Sequence, residues 1–145
     1  MLEEFEGDSE GRMRIKCRAI VKGAGEGEAL VTKQAINFLT MLDLKSGIVN
    51  DDKHELYKKN IANKILVLPN AIGSSVGAYS IYALKIHNVA PKAIVCSKAD
   101  ITTASGCAIA NIPLVDNPMN DVFTIKSGSA IKVDAMNGVI EIAEK

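Results

Sequence analysis

The sequence predicts an α/β fold built from two small sheets and few helices. Three observations carry that expectation. The chain is 48% hydrophobic but only 4% aromatic and lacks Trp, so its core rests on Ile, Val, Leu and Ala, side chains that suit sheets covered by helices. Its centre reads strand–helix–strand through "KILVLPN", "VGAYSIYALKIHN" and "KAIVCS", the pattern of a parallel crossover. Its last third holds short apolar segments separated by Gly128 and Asn137-Gly138, and Asn-Gly is the strongest short hairpin signal. At 145 residues the chain fits one domain, taken as residues 13–145, with enough surface to bury for folding without staples.

The elements follow in order. "MRIKCRAIVKG" alternates and stops at Gly23, which reads as one strand. "GAGEGEALVTKQAINFLT" reads as a Gly-rich turn and a second strand around Ala29–Thr32. The stretch "MLDLKSGIVNDDKHELYKKNIANK" has little periodicity and many turn formers, and long loops inside compact domains are often functional. "KILVLPN" is a continuous apolar run of strand length, predicting burial on both faces. Val76, Tyr79, Ile81 and Leu84 then recur at helical spacing, and Asn88 with the following "VAP" ends the helix. "KAIVCS" is the next strand, Thr103–Ala110 a short helix, and "IPLVD" another strand. The β-rich ends thus flank a central crossover.

Charge narrows the function. Residues 1–12 hold five acids and one base, a composition that predicts a solvated, disordered tail. The rest of the chain is mildly basic, but its lysines are scattered and lack the interleaved aromatics of a single-strand binder, so no nucleic-acid partner is expected. No apolar run reaches membrane-span length and the N-terminus lacks an apolar signal core. A cytoplasmic location is the expectation. Cys17, Cys96 and Cys107 form no close pair, which argues against a self-contained zinc site and for small buried hydrophobes.

The stretch "LPNAIGSSVGAYSIYALK" poses the functional question. A helix start leaves backbone N–H groups unpaired and carries partial positive charge. Ser74 or Ser75 can cap those donors, while Gly73 and Gly77 allow a sharp turn and a close backbone approach. The same field can stabilise a serine alkoxide or bind phosphate or carboxylate. Nucleotide binding is poorly matched, because the turn has neither the P-loop lysine nor the G-x-G-x-x-G spacing.

That stretch, with "NVAPKAIV", "KCRAIVKGAGEGEALVT", "SGIVNDDKHELY" and "AIANIPLVD", closely resembles the aconitase X swivel domain family, the small subunits of archaeal phosphomevalonate dehydratases. The resemblance covers about residues 13–143. It implies a swivelling β/β/α domain like the mobile domain of aconitase. It also implies a hydro-lyase of two chains, a heterodimer or higher, active only when this chain meets a large cluster-bearing subunit. The large subunit would supply a [4Fe–4S] cluster on three cysteines, acting as a Lewis acid on the departing hydroxyl, and most of the site for a small phosphorylated hydroxy acid. The small chain would supply a serine base. The reaction implied takes water from (R)-5-phosphomevalonate to give trans-anhydromevalonate 5-phosphate in the archaeal mevalonate route to isoprenoids.

Carried over by position, the serine is Ser74, with Ser75 more suited to capping. Two departures stand out: aconitases proper have an arginine after the serine pair where this chain has Val76, and the family usually has glycine after H-x-L-Y where this chain has Lys58. Gly25, Glu26 and Gly27 match the family's G-E-A segment and read as a turn, shaping a substrate mouth or subunit contact, or simply exposed. Asp51 and His54 match its Asp-x-x-His. His54 can donate to phosphate or carboxylate with Asp51 fixing its tautomer, or the pair can pin their own loop. His87 reads as a favourable partner for its helix C-terminus, not as a phosphohistidine carrier. The resemblance puts the cluster on the other chain, so this chain alone is expected to bind no iron. Two alternatives stay open: the swivel subunit of a related hydroxy-acid dehydratase, such as one acting on a hydroxyproline, and a non-enzymatic module that binds an anion or partner at the helix mouth.

Overall fold

The computed structural model describes residues 12–73 and 76–143. The acidic tail expected over residues 1–12 lies outside them except for Arg12, which already opens the first strand. Among the described residues eight strands appear: β1 (Arg12–Lys16), β2 (Arg18–Val21), β3 (Ala24–Val31), β4 (Ile65–Leu68), β5 (Ala93–Cys96), β6 (Leu114–Asp116), β7 (Ala130–Asp134) and β8 (Val139–Ala143). Helix α1 spans Val76–Ile86, α2 spans Ile101–Ala110, and Val122–Thr124 forms one 3-10 turn.

The strands form a sheet in the order β1-β8-β7-β3-β4-β5-β6-β2. Both small sheets expected from the sequence are present as halves of this one sheet, and β3 belongs to both. Its residues 24–28 pair antiparallel with β7, while Ala29–Val31 pair parallel with β4. Strands β4, β5 and β6 continue the parallel half, and β2 closes it antiparallel. β1 and β2 therefore stand at opposite ends of the strand order, yet only Cys17 separates them in the chain. That short link requires the sheet to fold over at β3 until its two edges meet.

Side-chain alternation builds two cores from the parallel strands. Ile65 and Val67 of β4, Ala93 and Val95 of β5 and Val115 of β6 face Ile15, Ile131, Val133, Ile140 and Ile142 of the antiparallel half. Leu66, Leu68, Ile94, Cys96 and Leu114 face Ile81, Leu84, Cys107 and Ala110 of the helices, together with Ile36, Phe38, Leu42, Val49 and Ile61 from the long loop, which in the structure runs over residues 32–64 between β3 and β4. The result is a β/β/α layering in which β4 and β5 are buried along their whole lengths. The antiparallel strands show a buried residue at every second position, as in Ile131 and Val133.

Several boundaries differ from the sequence reading. The single strand expected through "MRIKCRAIVKG" breaks at Cys17, whose N–H donates to Gly138 O at 2.9 Å in the β7–β8 turn. Gly25, Glu26 and Gly27 lie inside β3, opposite Val133, Lys132 and Ile131, and not in a turn. The two glycines are required because the chain passes close beneath them: a Cβ on Gly25 would stand 2.5 Å from Lys92 O, and one on Gly27 3.0 Å from Asn63 O. Helix α2 begins at Ile101, two residues before the expected Thr103, because the Asp100 carboxylate caps it by accepting from Thr103 N–H at 3.0 Å. Helix α1 ends as expected, with Asn88 at φ 60° and Val89 N–H returning to Leu84 O at 2.9 Å.

Candidate functional site

Strands β3 to β6 run parallel, and ligands of such sheets bind outside their carboxyl ends. That edge carries Thr32 after β3, Pro69 to Gly73 after β4, Ser97 to Asp100 after β5 and Asn117 after β6. Gly73 has φ 120°, a backbone region open essentially to glycine. Ser74 and Ser75 follow it but lie outside the described residues. Gly77 is the second residue of α1, where a Cβ would approach the Thr102 methyl of α2 at 3.3 Å, so its smallness serves helix packing.

The long loop forms one wall beside Gly73. Ile36 bridges Ala71 in parallel: its N–H donates to Asn70 O at 3.3 Å and its carbonyl accepts from Ile72 N–H at 2.9 Å. The next side chain, Asn37, lies flat against the open side of Gly73. The position a Cβ would take on Gly73 is 3.1 Å from Nδ2, 3.3 Å from Cγ and 3.4 Å from Oδ1 of Asn37. Asn37 Oδ1 accepts from Leu39 N–H at 3.0 Å and Thr40 N–H at 3.1 Å, an Asx turn.

His54 supports that wall from behind. The imidazole is buried. Nδ1 accepts from Leu56 N–H at 3.0 Å, so Nε2 carries the proton and donates to Ala35 O at 3.2 Å. Asp51 does not fix this tautomer; its carboxylate accepts from Lys53 N–H at 2.9 Å. His54 thus ties its turn to Ala35, two residues before Asn37, while Asp51 orders only the turn that carries His54. Glu55 adds a second tie: its Oε2 accepts from the buried Thr32 hydroxyl and from Lys33 N–H at 2.7 Å, while Glu55 N–H donates to Gln34 Oε1 at 2.8 Å. The Thr32 and Lys33 hydrogen bonds hold the Glu55 carboxyl below the usual range.

Gly25, Glu26 and Gly27 belong to the other end of the molecule. Their neighbours Lys92 and Asn63 precede β5 and β4, so these three residues sit at the amino end of the parallel strands, away from Gly73. His87, exposed after α1, bonds Ala83 O through Nδ1 at 2.9 Å. Lys58 has φ 72°, a backbone region that glycine adopts freely.

Two features of this edge escaped the sequence reading: Asn37, and the pair Arg18–Asp116. The fully buried Asp116 ends β6 and accepts from Arg18 Nε and Nη2, each at 2.8 Å, and from Ala99 N–H at 2.9 Å. It thereby fixes β2 and the residue before the α2 cap. A bidentate pair 98 positions apart leaves no local signature.

The cysteines do not form a metal centre. Cys96 and Cys107 lie in the helix-side core and Cys17 packs against the opposite core. Burial raises all three thiols, Cys17 and Cys107 to about 12. Among the described residues no group of three or more His, Cys, Asp or Glu is arranged to hold an ion. No described helix is long and apolar enough to cross a membrane.

Comparison with known proteins decides the family, because the model of the aconitase X swivel domain matches residues 14–142. The chain belongs to the aconitase X swivel domain family. A relative from Thermococcus kodakarensis, named phosphomevalonate dehydratase small subunit, is 45% identical over 132 residues, covering 91% of this chain and 98% of its own. One of the same name from Methanococcoides burtonii is 42% identical over 134 residues, covering 92% and 98%. Among solved structures, the crystal structure of Thermococcus kodakaraensis aconitase X in its holo form matches this swivel domain with a TM-score of 0.86 and 44% identity, over 90% of this chain and 98% of that one.

Proposed function

We propose that this chain is the small subunit of a phosphomevalonate dehydratase, with Ser74 as its base. One observation supports the reading above all others: relatives bearing that name resemble this chain over nearly the whole of both lengths. The partner is a large subunit that carries the [4Fe–4S] cluster, for which the cysteines of this chain, divided between two cores, are unfit. Departure of the substrate hydroxyl belongs to that subunit.

The task of this chain is proton removal. Ser74 follows Gly73 and stands two residues before the first residue of α1, whose N-terminal amides favour negative charge. As alkoxide it takes the proton from the carbon next to the carboxylate of (R)-5-phosphomevalonate. The electron pair of that C–H bond becomes the new double bond as the hydroxyl leaves the adjacent carbon. Trans-anhydromevalonate 5-phosphate results, and the proton and hydroxide together make the water released. A substrate carrying both a phosphate and a carboxylate does not cross a bilayer unaided, so we place the reaction in the cytoplasm.

The test mixes this chain anaerobically with its large subunit and follows dehydration of 5-phosphomevalonate, with each chain alone as control. Native mixture should turn over, and Ser74→Ala should lose at least ~10²-fold, as for removal of a catalytic base. A variant that keeps near-native activity makes Ser74 a cap and sinks the assignment. A native mixture active only on another hydroxy acid, such as a hydroxyproline, moves the chain to a related dehydratase.

A further inference from the structure

We infer that the end of the domain opposite Gly73 binds a diphosphate group in a cleft lined by lysines. The cleft, of about 550 Å³, opens at the amino ends of the parallel strands. Lys22 lines it just after β2, Lys92 just before β5 and Lys85 in the last turn of α1. Asn63, Asn88 and Asn111 complete its polar wall. Among the described residues no carboxylate lines the cleft, and none of the three lysines enters an ion pair. Glu26 belongs to the adjoining hollow, where Lys132 stands opposite it across β3 and β7. Three like charges around one concavity focus a positive field into it and concentrate anions there.

The hydrogen-bonding groups point to the same ligand. Each of the three asparagines has positive φ, 62°, 60° and 57° in chain order, and its backbone N–H is used in its turn, on Ala90 O, Lys85 O and Ala108 O. Among the described residues their side-chain amides make no hydrogen bond, so each has N–H donors to offer. Acceptors at this end are already engaged. The carbonyls of Ala83, Leu84 and Lys85 in α1 and of Cys107 and Ala108 in α2 all accept backbone N–H groups. A helix C-terminus favours a lysine through its own partial negative charge, which accounts for Lys85. Lys22 and Lys92 flank strands, where no such dipole calls for them. Ammonium groups act as point charges, without the planar fork that arginine offers a carboxylate. Charge therefore sets the preference, and a diphosphate brings more of it than one phosphate or carboxylate. None of these residues belongs to the Gly73 edge, so the inference is independent of the dehydratase reading.

The test titrates the full chain, labelled with heavy nitrogen, with inorganic pyrophosphate in the absence of divalent cations. The side-chain amide resonances of Asn63, Asn88 and Asn111 should shift together and saturate, and binding should weaken as salt is raised. Lys22→Gln combined with Lys92→Gln should weaken binding by about 10-fold or more, through loss of two charged contacts. Lys45→Gln combined with Lys53→Gln, on the long loop and outside the cleft, should leave it unchanged. Orthophosphate should bind more weakly than pyrophosphate by about 10-fold, and a methyl diphosphate titration separates a diphosphate ester from the free ion. Asparagine resonances that stay still overturn the inference. So do shifts spread over all the lysine-bearing surface and indifferent to the cleft variants, and so does orthophosphate binding as tight as that of pyrophosphate.

Discussion

Lys58 shows what a single backbone angle asks of a side chain. Its N–H donates to Val49 O at 2.8 Å and its ammonium lies 5.4 Å from the Tyr57 ring centre, yet φ is 72°. An L-residue in that region is strained by about 1–2 kcal/mol, whereas glycine adopts it freely but has more chain entropy to lose, by roughly 0.5–1 kcal/mol. The difference favours glycine. Lys58→Gly should therefore raise the thermal midpoint by a few degrees, since about 1 kcal/mol moves a domain near this size by about 2–4 °C. A lowered midpoint in a melting curve would mean that the Tyr57 contact outweighs the backbone strain. Lys58 sits four residues after His54, in the loop that presents Asn37, so strain here bears on the site.

At the scale of elements, α1 and α2 touch through small residues. A Cβ on Gly106 of α2 would lie 3.0 Å from Ala78 Cα, 3.1 Å from Ala78 O and 3.1 Å from Ile81 Cβ, all on α1. Overpacking a tight contact costs about 1–3 kcal/mol, and here only backbone movement relieves it. Gly106→Ala should destabilise the chain by that amount in urea unfolding, with an unchanged slope on denaturant; a neutral result would show that the helices separate freely.

Legibility of the elements follows the range of the forces that make them. β4 and β5 could be read as strands because four consecutive apolar residues in each are buried on two faces. β3 was read short because glycine signals a turn and a close approach alike, and only Lys92 and Asn63, far along the chain, distinguish the two. The break at Cys17 was hidden for a related reason: alternation continues across it, while the partners of β1 and β2, β8 and β6, lie more than 90 residues away. The site divides similarly. The Gly-Ser-Ser turn is local and visible, whereas Asn37 became visible only once Ile36 paired with Ala71.

Over the whole molecule, the folded-over sheet has to be tied where its edges return. The antiparallel edge is tied by β1 pairing with β8, and the parallel edge by β2 pairing with β6, reinforced by Arg18 on Asp116. Burial works to raise the Asp116 carboxyl, but the hydrogen bonds from Arg18 and Ala99 N–H and the nearby Arg18 and Lys98 charges outweigh it, so its folded value lies below the ordinary range. A carboxylate depressed in the folded state adds stability above its unfolded value, about 3.9, and that stability disappears as pH falls through the lower folded value. The native chain should hold its stability from neutral pH to about pH 4 and lose it below. Asp116→Asn sets an amide N–H2 among the Arg18 and Ala99 donors, so at pH 7 it should cost about 1–3 kcal/mol, the penalty for leaving buried partners unpaired. Because that variant has no charge there to titrate, its urea stability should decline less between pH 4 and pH 2 than the native chain's. Parallel acid limbs for the two proteins would show that the edge does not depend on the ionised carboxylate and that β2 is held by its backbone ladder alone.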